Sequence, residues 1–166
     1  MFEIDDYVVN ASNGICKITE VVELDMSGEN KDYYLLVPID ENTAKVFIPV
    51  DSADKRIRRV ITEEQANKVI EEVPDIEEVV IDNEKEREAR YKDAIKSCEP
   101  ERLVSLIKNL YHRKQERYAQ GKKCTAVDER YFKLAENHLY SELAFVTGKQ
   151  KAEMQTIICE QMGVAG

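Results

Sequence analysis

The spacing of apolar positions changes part-way along the chain. Up to about residue 60 they fall in short runs rich in β-branched and aromatic residues, at 8–9, 15–22, 33–37, 46–50 and 57–60, which is how strands read. Asn13-Gly14, the stretch 26–30 and Asp40-Glu41-Asn42 lie between the runs and mark turns. So many strands in so few residues predict a small, strongly bent barrel. Tyr33, Leu35 and Val37 alternate with Tyr34, Leu36 and Pro38. That strand is apolar on both faces, as when one face fills a core and the other meets a helix or a partner. Pro38 and Pro49 belong at strand ends or at a sheet edge.

Beyond residue 60 the period becomes helical. Thr62-Glu63-Glu64-Gln65 has the form of a capping box, and Ala66, Val69, Ile70 and Val73 follow at helical spacing. A short helix closing a barrel domain at residues 1–73 is the expectation. Residues 74–83 are acidic and aperiodic and read as an inter-domain linker. A helical domain then fills 84–166. Its first helix spans 85–96, Leu103, Val104, Ile107, Leu110 and Tyr111 stripe a second, and Val127, Tyr131, Leu134, Ala135, His138, Leu139 and Leu143 stripe a third. Pro100 suits the first turn of the second helix and Thr125 the N-cap of the third. A last helix covers 152–162, with Gly163 after it.

Charge modifies this picture. The net charge of −9 opposes contact with nucleic acid, which rests on Lys and Arg neutralising phosphates. The distribution is uneven, however: residues 1–73 carry 8 basic and 16 acidic side chains, residues 74–88 carry 2 and 7, and residues 89–134 carry 12 and 6. A basic segment in an acidic protein can bind DNA weakly and in a salt-sensitive way, because only the field within a Debye length of about 8 Å acts on a phosphate. Cys16, Cys98, Cys124 and Cys159 are far apart, with His112 and His138 the other soft ligands. Packing cysteines in the reduced state are expected, without a metal site. No apolar run reaches membrane-spanning length and no signal peptide is evident, so a cytoplasmic protein is expected. No nucleophile, base and orienting group assemble into a catalytic set, and no cofactor or small-molecule substrate is implied.

Phe2, Asp6, Val8, Val9, Gly14, Ile15 and Ile18 resemble the opening F-x-x-G-D-x-V-V-Y-x-x-x-G-V-x-x-I of the CarD-like family of bacterial transcription regulators, with Asp5 at the usual Gly and Asn10 at the usual Tyr. Arg90-Tyr91-Lys92, the segment from Leu103 to Leu110-Tyr111-His112-Arg113, and Glu142-Leu143-Ala144 resemble the family's R-Y-K, L-x-x-x-x-x-x-L-W/Y-x-R and E-L-A motifs in order. The resemblance implies a Tudor-like or SH3-like barrel that docks on the RNA polymerase β subunit. It further implies a helical domain that touches promoter DNA at the upstream edge of the melted bubble and tunes open-complex lifetime. Many members carry a Trp wedge three residues before the Arg of R-Y-K. This chain has no Trp, and Arg87 stands there, a cation able to enter a narrow minor groove.

The resemblance makes Arg87, Arg90, Lys92 and Lys96 candidate DNA contacts, together with Arg113, Lys114 and Arg117. A solvated helix face paired with neighbouring carboxylates is the competing reading of the first group. For the second, the helix dipole prefers cations at a C-terminus in any case. Lys31, Lys45, Phe47, Arg56 and Arg58 are the candidate polymerase contacts; basic residues on an edge strand either protect it or meet an acidic partner. An alternative reading keeps the polymerase contact and makes the helical domain a protein-interaction module without DNA.

Overall fold

The change of period is a change of architecture. A computed structural model describes residues 1–164, and the chain divides into one unit at Met1–Val60 and a second that begins at Ile61. In the first, strands β1 (Tyr7–Asn10), β2 (Gly14–Asp25), β3 (Asn30–Pro38), β4 (Val46–Pro49) and β5 (Ile57–Arg59) form one antiparallel sheet in the order β4-β3-β2-β1-β5. A 3-10 helix at Val50–Lys55 carries the chain from edge strand β4 to edge strand β5. Its buried Ala53 joins Val8, Cys16, Ile18, Tyr34, Leu36, Ile48 and Ile57 in the core.

A bulge between Ile18 and Glu20 shifts the β2–β3 register, and the Thr19 hydroxyl donates to the Leu35 carbonyl at 3.3 Å. A single extra residue moves every later side chain of a strand to the other face. Ile18, paired with Leu36, therefore faces the core, while Val22, paired with Tyr33, faces away from it. The two-faced apolarity of β3 follows: Tyr34 and Leu36 fill the core, and Leu35 stands opposite Phe47 on the other face.

The turn before β1 is built on Asp5. Its φ of 75° lies in the left-handed region, which a family Gly adopts freely and an Asp tolerates better than most side chains. Its amide donates to Ile18 O at 2.7 Å and its carboxylate meets Lys17 at 3.4 Å. The turn forms with Asp where the resembled motif has Gly.

The second unit holds α1 (Glu63–Glu72), α2 (Arg87–Ser97), α3 (Pro100–Ala119), α4 (Ala126–Thr147) and α5 (Lys151–Met162). Thr62 makes the full capping box with Gln65, Pro100 is the first residue of α3, and the Thr125 hydroxyl caps α4 by accepting from Asp128 N. Leu103, Val104, Leu106, Ile107 and Leu110 of α3 meet Tyr131, Ala135, Leu139 and Leu143 of α4 in one core with Met154 and Ile158 of α5.

Two expectations about boundaries change. Helix α1, read from the sequence as closing the barrel, is part of the helical unit, because its fully buried Ala66 and the Val73 that follows it pack into the helical core. The stretch read as a linker is a strap along α3. Lys108 Nζ donates to the carbonyls of Val73 and Ile76, Ser105 Oγ to Glu77 O, and Asn109 Nδ2 to Val79 O, while Ile76 and Ile81 rest on the core. Ser105, Lys108 and Asn109 are spaced to share one face of α3. Those backbone partners replace the periodicity that the strap lacks.

Candidate functional site

In the sheet unit, β4 is hydrogen-bonded on one side only, to β3. A free edge offers main-chain donors and acceptors to another chain. Phe47 on this edge is 37 % exposed although it is a large apolar residue, and it stands beside Leu35 on the face opposite the core. Lys45 precedes the strand and is exposed. The other predicted polymerase contacts do not join them. Lys31 lies at the far end of β3, paired with Glu29 at 3.4 Å. Arg56 and Arg58 belong to the opposite edge: Arg56 ends the 3-10 helix, and Arg58 lies in β5 with its guanidinium on Arg59 O at 3.0 Å. Lys45 and Phe47 share the β4 edge, and Arg56 and Arg58 lie at the β5 edge.

In the helical unit, the predicted DNA contacts separate by environment. Arg87, at the position of the family's Trp, has a side chain only 12 % exposed. Its guanidinium donates to Tyr91 Oη at 2.8 Å, Asn109 Oδ1 at 3.1 Å and Glu84 Oε1 at 3.2 Å. Arg113 is also turned inward, with Nε on Asp128 Oδ2 at 2.7 Å and its two terminal nitrogens on Glu84 at 3.0 and 3.2 Å. Tyr91 Oη completes the cluster by donating to Asp128 Oδ1 at 2.7 Å. The spacing of Arg87 and Tyr91 on α2, and of Asn109 and Arg113 on α3, places each pair on one helix face. Asp128 sits in the first turn of α4, where the dipole favours an anion.

Electrostatics matches the geometry. Burial raises the Asp128 pKa, but hydrogen bonds from Tyr91 and Arg113 and the charge of Arg113 outweigh it and hold the carboxyl below its ordinary range. The Tyr91 phenol is pushed up to about 12, mainly by burial. Among the described residues every buried side-chain nitrogen and oxygen has a partner. A guanidinium so engaged cannot reach a groove without breaking those bonds, so Arg87 and Arg113 hold α2, α3 and α4 together.

The remaining predicted cations face outward to differing degrees. Arg90 and Lys96 are exposed on α2, with no ion-pair partner among the described residues. Lys92 lies 3.7 Å from Glu88, which Arg130 also approaches at 3.4 Å. Lys114 stands over the Tyr118 ring, and Arg117 Nε donates to Lys123 O at 2.8 Å. Glu84 is one of the neighbouring carboxylates that the sequence offered to Arg87, whereas sequence reasoning missed Asn109 and Asp128 as partners of the arginines. One signal was present: Asn109 interrupts the apolar stripe of α3 at a position that proves buried.

The cysteines are all free thiols, three of them buried. Burial raises Cys16 to about 11, which leaves it protonated and unreactive at neutral pH. Among the described residues no group of His, Cys, Asp or Glu is arranged to hold a metal ion, and no helix is long and apolar enough to cross a membrane.

Comparison with known families agrees with this division of the chain. Residues 2–61 match the CarD-like/TRCF RID domain, and residues 68–159 match the CarD C-terminal domain. No individual curated protein matches the sequence significantly. The first match covers the five-stranded sheet and the second runs from α1 into α5. Matched in both units and in chain order, the chain belongs to the CarD-like family, a family of transcription regulators that interact with RNA polymerase.

Proposed function

We propose that this protein docks on the β subunit of RNA polymerase through the β4 edge of its sheet. Its helical unit then meets promoter DNA upstream of the melted bubble and tunes the lifetime of the open complex. The observation that carries the docking step is the pairing of an open strand edge with the exposed Phe47 and Lys45. Main-chain bonds supply affinity in such a contact, and an apolar anchor with a flanking charge supplies specificity.

For DNA, the placement of Arg87 and Arg113 shortens the candidate set to Arg90, Lys92 and Lys96 on α2, with Lys114 and Arg117 at the end of α3. With a net charge of −9 the free protein binds duplex weakly. Attachment to polymerase raises the effective DNA concentration and replaces intrinsic affinity. The inward turn of Arg87 also favours a second reading, a protein-interaction module on polymerase without DNA contact, because no side chain at this position provides a wedge.

The test is co-purification of polymerase with the tagged full chain, with and without nuclease, beside the Lys45→Glu/Phe47→Ala double variant. Retention of the β subunit after nuclease by the parent protein, and its loss in the variant, is the expected result. Equal retention by both proteins overturns the assignment of β4. In a promoter-melting assay, Arg90→Glu/Lys96→Glu should shorten open-complex lifetime; an unchanged lifetime selects the second reading.

A further inference from the structure

The turn from α3 to α4 carries an aromatic and cationic surface of which the roles above use only Lys114. Tyr118, in the last turn of α3, is 54 % exposed, and Lys114 Nζ lies 5.8 Å from its ring centroid. The helix ends in a tight turn at Gly121, whose φ of 75° is left-handed; Gly121 N donates to Tyr118 O at 2.9 Å and Lys122 N to Arg117 O at 2.8 Å. This folds Lys122 and Lys123 back beside the end of α3, and both are exposed. A cavity of about 280 Å³ opens next to the Tyr118 ring, lined on its apolar side by Leu110 and Phe132 and at its rim by Lys114 and Lys123.

Two carboxylates also line this cavity: Asp128 is buried, whereas the Glu129 side chain is more than half exposed. Asp128 is held by Tyr91 and Arg113, and Glu129 meets Lys133 at 3.1 Å. Beside the exposed Glu129 carboxylate, a ligand meets an aromatic face, an apolar recess and the ammonium groups of Lys114, Lys122 and Lys123, so cations outnumber the anion. That combination suits a planar, anionic ligand. Single-stranded nucleic acid offers unpaired bases to stack and phosphates to pair, whereas a duplex hides its base faces.

We infer that Tyr118 and the Lys114, Lys122 and Lys123 ammonium groups form a stacking platform for an unpaired base of single-stranded nucleic acid. The inference rests on the reading that the helical unit meets nucleic acid. To the duplex contact proposed for Arg90 and Lys96 it adds a contact to the melted strand.

Two probes separate the two claims: a fluorescent oligothymidylate and a blunt duplex of the same length, titrated with the full chain in low salt and followed by anisotropy. Tyr118→Ala should weaken oligothymidylate binding by about five- to a hundredfold, the range over which base–aromatic stacking acts, and leave duplex binding within about twofold. Tyr118→Phe should stay close to the parent, since it keeps the ring. Lys122→Glu/Lys123→Glu should weaken oligothymidylate binding and flatten its salt dependence. A silent Arg90→Glu/Lys96→Glu pair alongside a Tyr118→Ala loss would sink the duplex contact and keep the platform. The platform is overturned if Tyr118→Ala leaves oligothymidylate binding unchanged or weakens both probes equally. It is also overturned if the parent protein does not bind oligothymidylate in low salt, or if polyglutamate competes as well as DNA does.

Discussion

The sheet unit and the helical unit use the same charged residue types in opposite ways. In the sheet unit ion pairs lie on the surface: Lys17–Asp5 at 3.4 Å, Lys31–Glu29 at 3.4 Å and Arg59–Asp6 at 3.2 Å all involve at least one side chain more than half exposed. Such pairs are worth about 0 to 1 kcal/mol. In the helical unit the Asp128 side chain is 5 % exposed and Arg113 20 %, and the pair is knit to Glu84, Tyr91, Asn109 and Arg87. There Arg87 and Arg113 are structural, so a count of basic residues overstates the field that the helical unit presents outward.

The largest expected effect tests that contrast directly. Arg113→Ala should destabilise the helical unit by about 3–5 kcal/mol, because it leaves the buried Asp128 charge uncompensated. Lys31→Ala in the sheet unit should stay within about 0.5 kcal/mol. Urea unfolding of the full-length variants measures both, and near-equal losses would erase the contrast. The same network predicts a pH dependence. Asp128 titrates lower in the folded than in the unfolded chain, so its contribution is complete above the ordinary aspartate value and is lost as pH falls through the depressed one. Asp128→Asn should reduce the slope of stability in that acidic window; an unchanged slope would assign the acid sensitivity to other carboxylates.

A smaller effect sharpens the view of the strap. Lys108→Met removes both bonds to the carbonyls of Val73 and Ile76, for about 1.5–3 kcal/mol per charge-assisted bond at most. Amide exchange should speed up selectively over residues 76–81, where local opening is easiest. Uniform acceleration across the helical unit would argue that the strap has no stability of its own to lose.

The smallest effect has the opposite sign. Asp5→Gly restores the family residue at a left-handed position and should stabilise the sheet unit by about 0.5–1 kcal/mol through relief of backbone strain. The lost Lys17 contact subtracts little, being exposed. A destabilised variant would show that the carboxylate, through that contact or its turn geometry, outweighs the strain.

Residue type and spacing along the chain settle what local chemistry controls. Strand and helix periods, the Thr62 and Thr125 caps, Pro100 at the start of α3 and Gly163 at the end of α5 all stand where residue type alone placed them. The motif resemblance was legible for the same reason, being a matter of residue identity and order. Only tertiary structure decided which unit claims α1 and the strap, since Ala66 and Val73 are apolar in either setting and the partners of residues 73–79 lie about 30 positions along the chain. It alone decided the roles of the cations. Arg87 and Arg90 are three residues apart on one helix and indistinguishable by composition, yet one faces Asn109 and Tyr91 while the other faces solvent. A guanidinium goes where carboxylates and carbonyls converge to hold it, and that convergence is created by the packing of α2, α3 and α4.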